Sequence, residues 1–387
     1  MKILGFNVAH DSSACIIEDG KLIFYAKEEA FSGTKRDSQP SYVLDFLKNS
    51  HPYGSIDLVA YSSPTIEPGK MNPYITYAKK FFTEDVNDFT QNHHLCHAAH
   101  AFYDSGFNES YCVVIDAMGS IFLDDDVGMF LGREHETIFE ASYPAKFTYI
   151  HGNLPSWYGI TLVYALISEL IGVGQLENGK TMGLSAYGQI DKNLPPFFKK
   201  QYPFGKRFSS IPMTPGDFLY GHTNRNLLNH QKIKEFQDLR VNHEMYNDVK
   251  FIFENHLKDI DVIKKVTKTN YQEYANLAAK VQKESEDAVI NMILEQCDFK
   301  ACKNITLSGG YALNCLNNYR LAQELPPEVN LFIEPNADDA GVAIGAAKYL
   351  YHKTTKSTDK FPLTNIYNAG SKVDYNELQY YVETQVS

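Results

Sequence analysis

The sequence predicts an α/β fold that contains the same structural unit twice. The chain opens with an apolar strand, a polar turn and two further strands, and the same order of elements begins again near residue 111. In the first unit the turn EDGK separates two apolar runs, which is a strong hairpin signal. The segments that carry the repeated pattern are KILGFNV, AHDSS and ACIIEDGKLIFYAKEE in the first unit, and YCVVIDAMGS, VGMFLGREH and TIFEASYP in the second.

The elements after each set of strands fit two α/β subdomains. Helical patterns and single strands alternate there, and apolar spacing separates the two types. These segments are 41–49, DLVAYSS and NHHLCHAAHAFYDSGF, then 151–172, 271–297, NITLSGGYALN and DDAGVAIGAAKYLY. The order predicts the actin-like and Hsp70-like ATPase architecture (ASKHA), in which a nucleotide binds in the cleft between two subdomains.

The predicted boundaries follow this repeat. We expect a first subdomain over residues 1–110 and a second over 111–355, with an insertion near 189–248. The insertion breaks the α/β pattern with aromatic and basic clusters such as FFKKQYPFGKRF, so it is either a substrate lid or a surface elaboration. Residues 356–387 are interpreted as a C-terminal extension or linker.

Composition excludes several classes of protein. The 387 residues have a net charge of −11, which argues against binding to a nucleic-acid backbone. No apolar run approaches the ~18 residues needed to span a bilayer, and the chain enters a strand without a signal region. The six cysteines form no CxxC pair, as expected for reduced thiols. We therefore predict a globular, cytoplasmic protein.

The His-rich helix contains a candidate metal-binding pair. At ~100° per residue, His93, His97 and His100 fall within about 60° of one another, while His94 points away. Histidines four residues apart can bind one metal ion from a single helix face, although such a pair on a surface helix is often merely solvated. The segment has no HExxH motif, which argues against a zincin protease.

Two aspartates lie where further ligands are expected. Asp116 ends the apolar strand CVVID, at the carboxyl edge of a sheet where α/β ligand clefts open. Asp339 opens the last helix, where the alternative is a helix-capping carboxylate. Two imidazoles and two carboxylates suit iron, manganese or zinc better than magnesium.

Three glycine-rich or polar turns are candidate ligand contacts. Gly309 and Gly310 follow a strand and precede a helix, so backbone there can approach a phosphate, although such turns often serve only tight packing. Lys180 and Gly183 lie in the loop ENGKTMGLSAYG, where the lysine either contacts a phosphate or is simply exposed. In the turn AHDSS, His10 is a candidate general base beside Asp11, or else a bystander in a turn that the aspartate stabilises.

Six motifs occurring in order resemble one known family. They are AHDSSACIIEDGKLIFYAKEEAFSGTKRD, HHLCHAAHAFYDSGF, VVIDAMGS, GKTMGLSAYG, LSGGYALN and DDAGVAIGAA. Together they resemble the O-carbamoyltransferases of nodulation-factor and antibiotic tailoring and, more distantly, the tRNA threonylcarbamoyl-transferring proteins. The resemblance implies an actin-like ATP domain with a metal, usually iron, held by His93, His97, Asp116 and Asp339.

The resemblance also implies a reaction. Family enzymes make carbamoyl-adenylate from carbamoyl phosphate and ATP, then transfer the carbamoyl group to an acceptor hydroxyl. The Gly309–Gly310 turn, Asn314 and the Lys180 loop would hold the adenylate. The turn with His10 and Asp11 would lie at the acceptor, where His10 removes the hydroxyl proton and the metal acts as a Lewis acid.

The sequence departs from the family pattern at three places. His100 stands where the family usually has a small residue, and KEEAF replaces the usual EER of the third strand. A YrdC-like domain that makes the adenylate does not follow in this sequence, so we expect a separate activating protein, a truncated chain or altered chemistry. The alternatives are a threonylcarbamoyl-type transferase acting on tRNA and a non-catalytic metal- and ATP-binding partner subunit. The acceptor, a small molecule, sugar or nucleotide, and the oligomeric state, which includes a homodimer, stay open.

Overall fold

The structure is a computed structural model. It describes residues 1–50, 54–64, 72–123, 130–153, 159–190, 192, 197–198 and 271–364. Most of the predicted insertion at 189–248 and the end of the predicted extension, from residue 365 onward, lie outside the described residues. The subdomain boundaries at residues 110 and 355 stay predictions.

Five strands from the N-terminal part form the first sheet. Its strand order is β3-β2-β1-β4-β5. The first three strands are antiparallel, whereas β4 pairs with β1 and β5 with β4 in parallel. The hairpin predicted at EDGK joins β2 to β3, with Asp19 and Gly20 at positive φ. The strands are β1 Lys2–Asn7, β2 Ser13–Glu18, β3 Lys21–Lys27, β4 Leu58–Ser62 and β5 Val86–Asp88.

The second sheet repeats this topology. Its order is β10-β9-β6-β11-β12, with antiparallel pairing through β10, β9 and β6 and parallel pairing through β6, β11 and β12. Each strand therefore has a counterpart in the first sheet in the same place and direction. The strands are β6 Glu109–Ile115, β9 Glu136–Ser142, β10 Lys146–Asn153, β11 Asn304–Ser308 and β12 Asn330–Ile333. The duplicated actin-like fold is confirmed by this strand order.

Two details of the predicted second unit are wrong. VGMFLGREH does not supply the second strand of the sheet; its strand β8 (Phe130–Arg133) pairs with β7 (Ile121–Leu123) in a separate two-stranded ribbon. The helical pattern predicted from residue 151 begins inside strand β10, and the helix itself spans Ile160–Leu170. Short apolar runs fit either a buried strand or a buried helix, and sheet pairing decided between them.

The helices cover the sheets, and two of them cross between the halves. Helix α4 packs on β6 and β11 of the second sheet, while α9 packs on β1, β2 and β4 of the first. The two helices contact each other so closely that a Cβ on Gly345 would overlap the carbonyl oxygen of Cys96. The helices are α1 Glu29–Ser32, α2 Ser41–Ser50, α3 Pro73–Phe81, α4 His93–Ser105, α5 Ile160–Leu170, α6 Asn178–Ser185, α7 Tyr271–Gln296, α8 Cys315–Glu324 and α9 Val342–Thr355.

The apolar core is divided accordingly. One cluster lies between the second sheet and α5 and α7, one around α4 and α9, and one between the first sheet and α2. Among the described residues, no helix has the length and apolar character needed to cross a membrane. The α4–α9 crossing matters for function because both helices begin at the same place, the inner end of the cleft between the sheets.

Candidate active site

Four predicted ligands converge where α4 and α9 begin. His93, His97, Asp116 and Asp339 each offer one ligand atom, and these atoms all lie within 4.8 Å of one another. All four side chains are buried. They come from three separate segments of the chain, and we refer to them as the His2Asp2 cluster.

Helix α4 supplies both histidines from its first two turns. The Nε2 atoms of His93 and His97 lie 3.2 Å apart, so both rings point at the same spot. The backbone N–H of His93, which has no acceptor within the helix, donates to Ser120 Oγ at 3.0 Å. Ser308 Oγ donates to the His97 carbonyl at 3.1 Å, which ties the helix to β11.

Asp116 joins the cluster from the end of β6. Its Oδ1 accepts a hydrogen bond from the backbone N–H of Gly310 at 3.1 Å, and its Oδ2 lies 3.7 Å from His93 Nε2. The parallel strands β6 and β11 end at the same sheet edge, and this geometry brings the aspartate and the glycine turn together.

Asp339 enters from a 3-10 turn, Asp339–Gly341, that precedes α9. Its Oδ1 lies 3.4 Å from His93 Nε2 and 3.5 Å from His97 Nε2. The capping role considered for Asp339 belongs to its neighbour: Asp338 Oδ1 accepts from the Ala340 N–H at 3.1 Å. Asp339 is therefore left available to the cluster.

Asn7 and Ser13, which were not predicted as functional residues, hold this turn. Asn7 Nδ2 donates to the Asp339 carbonyl at 3.0 Å, and Ser13 Oγ donates to the Ala340 carbonyl at 2.7 Å. Both side chains are buried at the ends of apolar strands. The sequence signal was Asn7, an amide at the end of an apolar strand, because a buried amide needs a hydrogen-bond partner.

The cluster fits a divalent transition metal. Burial disfavours a charged imidazole, but the facing carboxylates of Asp339 and Asp116 outweigh it and raise the pKa of His93 to about 10. Burial likewise opposes ionisation of Asp116, yet the histidines hold its pKa well below the usual range. Two buried carboxylates thus require positive charge between them. The donor set of two imidazoles and two carboxylates suits iron, manganese or zinc.

The two other histidines of α4 lie outside the cluster. His94 is buried with its Nδ1 2.9 Å from Thr137 Oγ1, and burial lowers its pKa well below the ordinary value. The helical spacing had likewise directed its ring away from that of His93. His100 faces Asp104 and Glu334 instead, although its spacing had placed it on the face of His93 and His97.

The turn after β1 places His10 and Asp11 beside the cluster. His10 Nδ1 lies 2.9 Å from Asp11 Oδ2, and His10 Nε2 lies 3.8 Å from Asp339 Oδ2. The hydrogen bond with Asp11, against some desolvation, and the charges of Asp339 and Asp116 raise the pKa of His10 to about 9. A cation that neutralises those two carboxylates removes their part of this shift.

A cavity of about 460 Å³ opens from the cluster toward the surface. Its walls come from both halves of the molecule. The lining includes the cations Lys27, Lys35 and Arg36. The remaining lining residues are His10, Asp11, Glu29, Asp116, Ala117, Met118, Thr161, Leu162, Tyr164, Ala165, Gln175, Leu176, Asn178, Gly179, Met182, Gly310, Tyr311, Leu313, Asn314 and Asp338.

Only some of the residues predicted to bind the nucleotide line this cavity. Gly310 and Asn314 do, but Lys180, Gly183 and Gly309 are not among the lining residues. Gly309 has φ +86°, and a Cβ there would overlap the backbone of Ile115, so it serves close packing of the turn. Asn314 Oδ1 caps α8 by accepting from the Asn317 N–H at 3.1 Å. Lys180 is 65% exposed and pairs with Glu177 at 3.1 Å.

An ionic contact that sequence reasoning did not foresee crosses the cleft. Glu177, just before α6, accepts from Arg36 at 3.3 Å and from Lys35 at 3.2 Å. Arg36 also donates to the carbonyl of Leu176. Pairing between residues far apart in the chain leaves no local pattern in the sequence. The sequence does show the basic residues of the segment TKRD, but not their acidic partner.

Comparison with known proteins identifies a family and several relatives. The family model described as "Carbamoyltransferase N-terminus" matches residues 51–348, which is more than half of the chain. Nodulation protein NolNO of Sinorhizobium fredii is 23% identical over 92% of this chain and 48% of its own length. Nodulation protein NolO of Bradyrhizobium diazoefficiens is 24% identical over 71% of this chain and 41% of its own length. The chain thus spans about half the length of these curated relatives.

Two solved structures show distant similarity. Full-length HypF in its phosphate- and nucleotide-bound form aligns with a TM-score of 0.49 and 12% identity, over 92% of this chain and 56% of that chain. Component A of the (R)-2-hydroxyglutaryl-CoA dehydratase of Acidaminococcus fermentans aligns with a TM-score of 0.42 and 14% identity, over 92% and 99% of the chains. The repeated strand order, independently of these similarities, identifies the fold.

Proposed function

The chain belongs to the family defined by the carbamoyltransferase N-terminal domain, and we propose that it carries the transfer step of an O-carbamoyltransferase. The donor is carbamoyl-adenylate, formed from carbamoyl phosphate and ATP. The acceptor oxygen forms a bond to the carbamoyl carbon, and the bond from that carbon to the adenylate phosphate breaks. AMP leaves, and the hydroxyl proton passes to a base on the protein.

One observation carries this proposal. Ligand atoms of His93, His97, Asp116 and Asp339 lie within 4.8 Å of one another. Of these four residues, Asp116 lines the cavity, together with His10 and Gly310. A buried ligand set with an imidazole at its edge and a glycine turn beside it has the parts that metal-assisted group transfer needs. A helix-surface histidine pair would have neither the two aspartates nor the burial.

The proposed roles follow from positions around the cavity. Asp11 holds His10 through Nδ1, which leaves Nε2, the atom facing the cluster, to take the acceptor proton. Lys27 and Arg36 both line the cavity and would neutralise the adenylate phosphate. Gly310, with no side chain, permits close approach of the donor. Lys180 and Gly183 do not line the cavity and have no role in this proposal.

A metal ion held by His93, His97, Asp116 and Asp339 would supply Lewis-acid polarisation of an oxygen next to the transferred group. Iron, manganese and zinc all suit these donors. The chain's own contribution is to fix the four side chains from three segments before substrate arrives. Preorganised electrostatics of this kind is usually the largest catalytic contribution.

The test supplies chemically prepared carbamoyl-adenylate together with a panel of sugars, nucleosides and other hydroxylated acceptors. We expect a carbamoylated product by mass spectrometry, one AMP per product, and a rate lowered about 100-fold or more by His10→Ala. Calorimetric binding of the adenylate without transfer to any acceptor would favour the partner-subunit alternative. An unchanged transfer rate in His10→Ala would remove the base role.

A further inference from the structure

A second buried group of ligand-type side chains lies one helical turn beyond the His2Asp2 cluster. His100 and Asp104 are four residues apart on α4 and share one face, and Glu334 directly follows β12. Their exposures are 1%, 2% and 1%. One ligand atom from each lies within 4.8 Å of the others, and the proposed function uses none of them.

The spacing of these atoms is that of ligands around an ion. His100 Nε2 lies 3.4 Å from Asp104 Oδ2 and 3.6 Å from Glu334 Oε1. In a direct hydrogen bond between a charged imidazole and a carboxylate, the nitrogen and the oxygen would lie about 2.7–2.9 Å apart. Ligands bound tetrahedrally at about 2.1 Å are separated by about 3.4 Å.

One oxygen of each carboxylate lacks a hydrogen-bond partner, whereas Asp104 Oδ1 accepts from Lys348 and Glu334 Oε1 accepts from the Asn336 N–H at 3.0 Å. Asp104 Oδ2 and Glu334 Oε2 are buried and accept no hydrogen bond from the residues that the structure describes. A buried carboxylate oxygen without a partner is costly.

This buried group also needs one further positive charge. Lys348 on α9 donates to Oδ1 of Asp104, the oxygen that faces away from His100, and to the Phe361 carbonyl at 3.4 Å. Two carboxylates and one ammonium leave one buried negative charge when His100 is neutral. Either a proton on His100 or a metal ion can balance it. The 3.4 and 3.6 Å separations are longer than those of a direct ion pair and favour the metal ion.

We infer that His100, Asp104 and Glu334 bind a second divalent metal ion, of the zinc or manganese type, in a structural site. One imidazole and two carboxylates suit these ions. The Lys348 contact orients the Asp104 carboxylate, as outer hydrogen bonds commonly do for metal ligands. The ion would tie α4 to the end of β12, beside the turn that carries Asp339. A Cβ on Gly341 of that turn would lie 2.5 Å from His100 Nδ1.

The test measures metal stoichiometry in the full chain reconstituted with zinc and freed of excess by gel filtration. We expect two ions per chain by mass spectrometry of the metal. Glu334→Gln, which preserves side-chain volume, should retain one, and the double variant His93→Ala with His97→Ala should also retain one. Glu28→Gln changes another buried carboxylate outside both groups, and it should retain two.

One zinc ion per wild-type chain, lost in the double histidine variant, would overturn the inference and assign a proton to His100. So would two ions that both persist in Glu334→Gln. If Glu334→Gln fails to fold, X-ray absorption of the double histidine variant provides the test instead. The ion that this variant retains must then show one imidazole ligand together with oxygen ligands. None of these outcomes depends on carbamoyl transfer, so the inference and the proposed function can fail separately.

Discussion

The backbone N–H of Gly310 donates a hydrogen bond to the carboxylate of Asp116, with 3.1 Å between the nitrogen and Oδ1. This contact joins the glycine turn proposed to approach the donor with a proposed metal ligand. Because Gly310 binds Oδ1, the other oxygen of Asp116, Oδ2, is directed at His93 and lies 3.7 Å from its Nε2. Metal binding and donor binding are thereby expected to be linked.

Replacing Gly310 with alanine tests this link. The added Cβ would lie 3.2 Å from Asp116 Oδ1, closer than ordinary packing, so the carboxylate must shift by a few tenths of an ångström. We expect metal affinity to fall about 10-fold or more, measured by competition with a chelator, because outer contacts orient metal ligands. Gly183→Ala is the matched control, since a Cβ there meets nothing within 4 Å. Equal affinities in the two variants would contradict the link.

The His2Asp2 cluster predicts a contrast between neighbouring histidines. His93→Ala combined with His97→Ala should remove the metal ion at this cluster, because two of its four ligands are lost. His94→Gln, on the same helix and equally buried, should keep it, since its ring faces Thr137. Metal content of the purified variants, with circular dichroism to verify folding, gives the comparison. Loss of this ion in His94→Gln alone would refute the assignment.

Glu134 predicts a pH-dependent contribution to stability in the metal-free protein. Burial, despite its hydrogen bond from the Ser120 N–H, raises its pKa from 4.5 to about 7. The folded chain therefore binds a proton that the unfolded chain releases between these values, and stability falls as pH rises from about 4.5 to 7. The loss is at most about 3.4 kcal/mol at 1.36 kcal/mol per pKa unit.

The variant Glu134→Gln removes this titration. The difference in unfolding free energy, variant minus parent, should increase as pH rises from 5 to 8 and stay constant above pH 8. It is measured by denaturant unfolding. Both proteins are compared without metal, because a nearby cation would lower the pKa of Glu134. Parallel stability profiles for the two proteins would show that Glu134 does not titrate in this range.

The crossing of α4 and α9 predicts a severe packing defect. Gly345→Ala would drive a methyl group into the Cys96 carbonyl, and neither backbone can move without separating the helices. We expect a loss of about 3 kcal/mol in unfolding free energy, at the upper end of overpacking effects. Gly183→Ala in α6 has open space and should gain about 0.5–1 kcal/mol from helix propensity. A stable Gly345→Ala protein would mean that the crossing is wider.

Much of the architecture was readable from local patterns. The EDGK turn, the apolar strands and the spacing of α4 predicted the order of elements because these depend on side chains near one another in sequence. The second unit was harder. The last three residues of the strand Lys146–Asn153 were interpreted as the start of a helix, whereas pairing with β9 extends the strand through them.

The candidate site divides along the same line. The sequence by itself determined the chemical types and their local geometry: two histidines on one face of α4, an aspartate ending a strand, and a glycine turn. Only the tertiary structure decided which groups meet. It brought Asp116 and Asp339 to the two histidines, placed His100 beside Asp104 and Glu334, and left Lys180 at the surface. The reason is physical: helix periodicity fixes directions within a few residues, whereas contacts across hundreds of residues depend on how two sheets and two crossing helices pack.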